Sequence, residues 1–378
     1  MMKQKKKKPV YALLLLALPT AIITLTVIIL MNWPILTHIE VDLTVSRAVF
    51  NAGGSEYAAI FNSIGFQSLT IEKFDRIVLY PEQVEVANPQ KYIPIQDCYP
   101  KDAWQSLTIT PPLEIIGEDE TLQPVVTLES VKHGLNSTGI MDRTLVRPGS
   151  VVTLEVSGTR AIVLTVKVAG QASSIASYFR QRFQLLTSYC RVTGIPDIPF
   201  SKDLLTYRIK LPDHSPQLEI TGQQQALVLI LTISPEETVR LFSKEGILIN
   251  DLDFTRQNEK GVPVTTLLKD GEIIYPDYPK IEKVRFKATD FIGLDRLKKF
   301  RIEEMAIDPQ SKGIHLRLHG LAGHIRTGSR EFPKDHRLTC FDSLRLNPRL
   351  MVLLSIIIWV FPTTVGGYKL YRELKFNK

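Results

Sequence analysis

Apolar and polar residues alternate through most of this chain, which is the period of a strand. Ile39, Val41, Leu43 and Val45 are separated by single polar residues, placing all four on one face of an extended segment. The same alternation predicts strands over 76–80, 125–131, 151–157, 161–169, 207–211, 226–233, 281–286 and 313–319. Turn chemistry separates these runs at Pro148-Gly149, Ser157-Gly158, Pro212-Asp213, Asp270-Gly271 and Pro276-Asp277. Many short strands joined by Gly/Pro turns point to a β-sandwich or a pair of sandwiches.

Two stretches depart from this period. Ile175, Phe179, Phe183, Leu186 and Cys190 follow a helical stripe that Gly194 and Pro196 would end, predicting a helix over 173–192. Ser234-Pro235-Glu236-Glu237 reads as a capping box opening a second helix, with Val239 and Phe242 inward and Gly246 closing it at positive φ. Together with the strands this makes the chain mainly β, of the α+β class. Residues 34–170 and 200–349 would be two modules, with the first helix between them. The stretch from Ile64-Gly65 to Pro81-Glu82 aligns without gaps on Ile292-Gly293 to Pro309-Gln310, which suggests that a short β unit is used twice.

Residues 10–33 and 350–368 contain no Asp, Glu, Lys or Arg. At about 1.5 Å per residue they reach roughly 36 and 28 Å as helices, enough for a hydrocarbon core of about 30 Å. They are therefore expected to be one transmembrane helix at each end, the first being an uncleaved anchor because no small-residue cleavage pair follows it. The basic tails 1–9 and 369–378 would lie in the cytoplasm, and 34–349 would be a periplasmic or extracellular domain at a bacterial inner membrane.

Charge refines this picture. The formal charge is +7, but the N-terminal tail alone holds five Lys and the C-terminal tail four bases against Glu373. The region between is close to neutral overall, which gives no reason to invoke nucleic acid. It is uneven, however: 280–349 holds 16 bases and 9 acids. Arg326, Arg330, Lys334, Arg337, Arg345 and Arg349 in this segment are candidates for contact with anionic headgroups of a lipid bilayer.

Candidate chemistry is sparse. His315, His319, His324 and His336 fall within 22 residues and could ligate a metal. Yet Ile314, Leu316 and Leu318 alternate with His315, Arg317 and His319, and residues four apart on a strand stand about 13 Å apart, too far to share one ion. An exposed polar strand face is the simpler reading. Asn51-Ala52-Gly53-Gly54-Ser55 resembles a phosphate loop only in its glycines and reads as a turn. Asp251 and Asp253 could be paired carboxylates but lack the rest of a calcium loop. Cys98, Cys190 and Cys340 are too few for a disulfide scaffold, and Cys190 is expected to pack in a core. Asn136-Ser137-Thr138 matches a glycosylation triplet. No nucleophile-elbow, Walker, dinucleotide or zinc-protease motif occurs, and no cofactor is implied.

The sequence therefore favours a non-enzymatic envelope protein. Its β-rich region would bind or scaffold a protein or polymer partner, or a second copy of the chain. An enzyme with a dispersed active site and an accessory or sensor subunit of a transporter are the alternatives.

Overall fold

The computed structural model describes residues 32–93, 100–110, 112–117, 124–130, 139–157, 161–168, 173–180, 182–195, 205–211, 218–222, 226–233, 239–241, 246–257, 263–288, 290–308, 313–329 and 331–347, with 25–26, 28–29, 349, 351–352 and 355–356 at the ends. The chain lays down β1 (Thr37–Val45) and β2 (Arg47–Ala52), almost one continuous strand broken at Ser46. Next come β3 (Ala58–Phe66), β4 (Ser68–Glu72), β5 (Arg76–Leu79), β6 (Gln83–Ala87), β7 (Trp104–Leu107), β8 (Leu113–Gly117) and β9 (Val125–Ser130). The middle holds β10 (Gly139–Val146), β11 (Ser150–Ser157), β12 (Ala161–Val168), β13 (Ser173–Arg180), β14 (Arg182–Ser188), β15 (Cys190–Thr193), β16 (Leu205–Lys210), β17 (Leu218–Gly222) and β18 (Leu227–Thr232). The last part holds β19 (Val239–Leu241), β20 (Ile247–Asp253), β21 (Thr255–Gln257), β22 (Pro263–Thr266), β23 (Leu268–Ile274), β24 (Val284–Lys287), β25 (Phe291–Asp295), β26 (Lys298–Asp308), β27 (Gly313–Ala322), β28 (His324–Gly328), β29 (Pro333–Asp335) and one short helix, α1 (Cys340–Leu346).

Seventeen of these strands form one antiparallel sheet. Its path runs β24-β23-β1-β27-β26-β20-β2-β11-β12-β18-β4-β9-β14-β16-β6-β7, with β19 also on β26. A seven-stranded sheet, β15-β8-β5-β17-β13-β10-β3, faces part of it. Between β3 and β18 the chain shuttles from one sheet to the other, so that consecutive strands such as β3 and β4, or β13 and β14, lie in different sheets. Two of the crossings use residues with left-handed backbone, Lys73 (φ 57°) and Tyr189 (φ 56°). A three-stranded sheet, β25-β28-β29, and the hairpin β21–β22 complete the fold.

The core is the product of alternation. Every second residue of β1, from Thr37 to Val45, is buried, and the residues between are half-buried. The inward faces of the two main sheets meet in one apolar cluster, where Phe66 of β3 stacks on Phe183 of β14 at a ring-centroid distance of 5.8 Å. Phe50, Phe61, Tyr207 and Phe300 are also fully buried. Burying such a side chain contributes roughly 1.5–3 kcal/mol.

Each of the nine strands read from alternation has an observed counterpart, β1, β5, β9, β11, β12, β16, β18, β24 and β27. The helix over 173–192 does not form; the segment is β13, β14 and β15. Its buried residues are Ile175, Ser177, Phe183, Leu185, Thr187, Cys190 and Val192, and the parity changes at Tyr189 where the chain crosses sheets. Ser177 and Thr187 occupy inward positions while Leu186 faces away from the core, so the apolar stripe alone imitated a helical period. Of the second expected helix, 234–238 and 242–245 lie outside the described residues, and Val239 begins β19. Gly246 does carry positive φ (69°), but it leads into β20.

The α+β reading with two short helices and a transmembrane helix at each end is thus corrected. Among the described residues the only bounded α-helix is α1, beside two single-turn 3-10 helices at Pro89–Lys91 and Lys101–Ala103, and no helix is long and apolar enough to cross a membrane. The two-span placement at a bacterial inner membrane, and the membrane character attached to it, lose their basis. An uncharged run shows only that charge is missing, whereas a span needs about 20 continuous helical residues. Most of 10–33 and 350–368 lies outside the described residues. The chain on either side of the β region is tied together instead: Pro34 bridges Thr339, Ile35 N donates to Leu338 O (3.1 Å) and Cys340 N donates to Trp33 O (3.1 Å). Helix α1 starts there on a capping box between Thr339 and Asp342.

The expected turn at Asp270-Gly271 is also absent, because Gly271 lies within β23, opposite Leu43 and Phe286. A Cβ there would stand 2.3 Å from the Phe286 ring and 2.5 Å from Asp42 O. The glycine is needed for close approach. The proposed repeat turns at different places in its two copies: β4 and β5 are separate strands, whereas the aligned residues 300–307 run unbroken within β26. Gly271→Ala should cost about 1–3 kcal/mol through overpacking, read as a lower urea midpoint with unchanged far-ultraviolet dichroism.

Candidate functional site

The sequence-predicted histidines separate into two groups. His315 and His319 lie on β27, on the outer face of the large sheet, because Leu316 and Leu318 point inward. There β27 pairs with β1 so that Thr44, Asp42 and Glu40 stand opposite His315, Arg317 and His319. Asp42 lies 3.4 Å from His315 Nε2 and 3.8 Å from Arg317, and Arg317 also reaches Glu304 at 3.3 Å. These pairs are exposed enough for water to screen them, at roughly 0–1 kcal/mol each.

The neighbour of His319 is one that sequence reading missed, His38 of β1. The two Nε2 atoms are hydrogen-bonded, and the rings meet edge-on with centroids 4.3 Å apart. One nitrogen must donate and the other accept. The outer nitrogens point to carboxylates: His319 Nδ1 lies 3.3 Å from Glu303 and His38 Nδ1 lies 3.7 Å from Asp277. Residues from four segments thus form a linear chain, acid–imidazole–imidazole–acid. It lies across the outer sheet face, and no hydroxyl or thiol is bonded to either ring among the described residues. Only the tertiary pairing of β1 with β27, 281 residues apart in sequence, could reveal it.

No three or more His, Cys, Asp or Glu are placed to hold a metal ion among the described residues. His324 sits on β28 opposite Asp295, away from His315 and His319. Asp251 and Asp253 are occupied locally, since Asp251 accepts Leu252 N (2.9 Å) and Asp253 accepts both Thr255 N (2.8 Å) and Thr255 Oγ1 (2.7 Å). Asn51 and Ala52 end β2 against β20, Gly53 N continues that pairing by donating to Leu248 O at 2.7 Å, and the chain bends at Gly54–Ser55. Cys190 is buried on β15, where desolvation pushes its thiol up to about 12 and makes it a packing residue. Cys98 and Asn136 lie outside the described residues.

His336 belongs to a different place, an open cleft of about 530 Å³. Residues 281–285, leading into and forming β24, make one wall; Thr327, Lys334, His336, Arg337 and Leu338 make the other, with Tyr275 and Asp342 at the end. The sequence positions Lys334 here by alternation: in β28–β29 the pair Thr327/Lys334 lines the cleft, and the adjacent pair Arg326/Asp335 belongs to the opposite face. Of the bases considered as headgroup contacts, Arg326 therefore lies on the face opposite Lys334. Arg326 pairs with Asp295, Arg345 lies in the last turn of α1, Arg349 N donates to Asn347 Oδ1 beyond it, and Arg330 lies outside the described residues. Only Lys334 and Arg337 line the cleft.

Four bases, Lys283, Arg285, Lys334 and Arg337, line this cleft against two acids, Glu282 and Asp342. Asp342 is committed to the α1 cap, accepting Thr339 N at 2.9 Å and Thr339 Oγ1 at 2.7 Å. Glu272 stands behind Lys283 (2.7 Å) and Arg285 (3.9 Å), and Asp335 behind Arg337 (3.1 Å), so three of the bases are oriented by partners. Among the described residues Lys334 has no ion-pair partner. Tyr275, pushed up to about 12 by burial and then by the Asp335 charge, stays protonated and donates to His336 O at 3.1 Å. That bond ties the end of β23 to the end of β29.

Burial, and then the charge of Lys334, lower the His336 pKa from its usual value, so it is neutral at physiological pH; its Nε2 bonds Thr327 Oγ1 at 2.7 Å. A base whose folded pKa is depressed resists protonation more when folded than when unfolded. Its stabilising contribution is present above about pH 6.5 and is lost as pH falls through the folded value. Acidification from about pH 7.5 to about 5.5 should therefore lower the melting temperature of the native chain more than that of His336→Gln, read by scanning calorimetry. The chain matches no protein-family model, no curated protein and no solved structure.

Proposed function

We propose that the chain is a non-catalytic binding or scaffolding protein whose β-rich region engages an anionic partner in the cleft between β24 and β29. The single observation that carries this reading is the lining: four bases against two acids, one of the acids being held in a helix cap. The setting supports it, since 280–349 has 16 bases and 9 acids. Most of the lining bases are already held in place by partners at their backs, which reduces the side-chain ordering cost of binding. The cleft is open to solvent, which suits an extended anion better than an enclosed small molecule.

Binding of labelled polyglutamate or polyphosphate to the full chain, followed by fluorescence anisotropy at ~50 mM salt, tests the reading. Native protein should bind both anions, and Lys334→Glu with Arg337→Glu should weaken binding by about tenfold or more while leaving the dichroism spectrum unchanged. Equal binding by native protein and the double variant would remove the cleft from the function.

A further inference from the structure

A second open pocket, of about 360 Å³, lies at one end of the β1, β27 and β26 strands and shares no lining residue with the basic cleft. Three connections build it: Pro34–Leu36 leading into β1, Arg296–Lys298 at the join of β25 and β26, and Gly323 between β27 and β28. Strand pairing brings them together. Thr37 stands opposite Ala322 and Lys298 opposite Leu321, and Gly323 N donates to Asp295 O at 3.1 Å.

The interior of this pocket is apolar. Pro34, Ile35, Leu36 and Leu297 line it, and Ile35 and Leu297 pack against the main core. Gly323 keeps the floor low: an added Cβ would stand 3.1 Å from Arg296 Cβ and 3.6 Å from Leu36 Cδ2. Leu36 is 46% exposed, and Trp33, just before the pocket, is 62% exposed. Two large apolar side chains left open beside an apolar hollow offer contact area to the hydrocarbon part of a ligand.

The rim is basic. Arg296, Lys298 and Lys299 are exposed, and among the described residues none of the three has an ion-pair partner. The adjacent acid, Asp295, is taken by Arg326. Arg296 and Lys299 hold left-handed backbone (φ 55° and 52°), which non-glycine residues adopt rarely and which gathers at ligand clamps. Between them Leu297 packs on the core and Lys298 faces solvent. Cations without a countercharge, set beside an apolar hollow, complement a molecule that carries both an anionic group and a hydrocarbon chain. The volume is at the small end for ligand pockets, which suits one chain of medium length rather than a two-chain lipid.

We infer that this pocket binds a single-chain carboxylate amphiphile, a medium-length fatty acid anion, with its hydrocarbon against Leu36 and Leu297 and its carboxylate at Arg296 and Lys298. The site is separate from the anion cleft, so either reading stands or falls without the other.

Calorimetric titration of the full chain with octanoate, nonanoate and decanoate, and with the matching neutral alcohols, at ~50 mM salt tests the inference. Affinity for the carboxylates should rise about fourfold per added methylene, the value of about 0.8 kcal/mol per buried CH₂. Lys298→Glu should weaken the carboxylates by about fivefold and leave the alcohols unchanged. Leu36→Glu should weaken carboxylates and alcohols alike, with the dichroism spectrum unchanged. Lys334→Glu with Arg337→Glu should leave all of these titrations as they are. No binding, an affinity independent of chain length, or equal binding by native protein and both Leu36→Glu and Lys298→Glu would overturn the site. Alcohols binding as tightly as carboxylates, with Lys298→Glu changing neither, would overturn the anionic ligand class.

Discussion

One-sided burial along paired strands holds this protein together. Each core strand must satisfy its backbone through its neighbours and hide every second side chain from water, and the two demands are met together only where strands stack into facing layers. β1 shows both conditions at once. It is paired on one edge with β23 and on the other with β27, its odd-numbered residues from Thr37 to Val45 are buried, and its even-numbered residues carry the outer charges. The acid–imidazole chain and the Gly271 contact both depend on this register. A slip of one residue would turn His38, Glu40 and Asp42 into the core.

Shuttling between sheets sets the rest of the architecture. A strand that ends in the large sheet and resumes in the seven-stranded one turns its inward face through the corner, so core residues change parity at the crossing. Tyr189 marks such a point: Thr187 before it and Cys190 after it are both buried. Buried hydroxyls fill several inward positions, with Thr144 Oγ1 and Ser177 Oγ 3.3 Å apart inside the seven-stranded sheet. Hydrogen bonding removes most of the penalty for burying such groups, and their small volume lets strands pack closely.

The two polar regions differ in what they offer. On the outer face of β1 and β27, acids and bases neutralise one another across the strands, and the surface is open to water. In the cleft, side chains come from two separate sheets, β23–β24 and β28–β29, tied by Tyr275 to His336 O. There Lys283 and Arg285 are held by Glu272 and Arg337 by Asp335, while Lys334 has no ion-pair partner among the described residues.

The sequence by itself determined where many strands run and which of their faces is buried, because alternation is a local property of the chain. Ile39 to Val45, 151–157 and 226–233 could be read directly. It also showed the basic excess of 280–349 and the lack of any catalytic motif. It misread 173–192 because Ser177 and Thr187 hold core positions that a hydrophobicity pattern leaves blank. It read two apolar end runs as membrane helices, although freedom from charge does not establish a continuous helix. Only the tertiary structure decided that His38 meets His319, that Lys334 and Arg337 face Lys283 and Arg285, and that Gly271 lies inside a strand. These are meetings between segments far apart in sequence, fixed by strand pairing and crossings that no local pattern encodes.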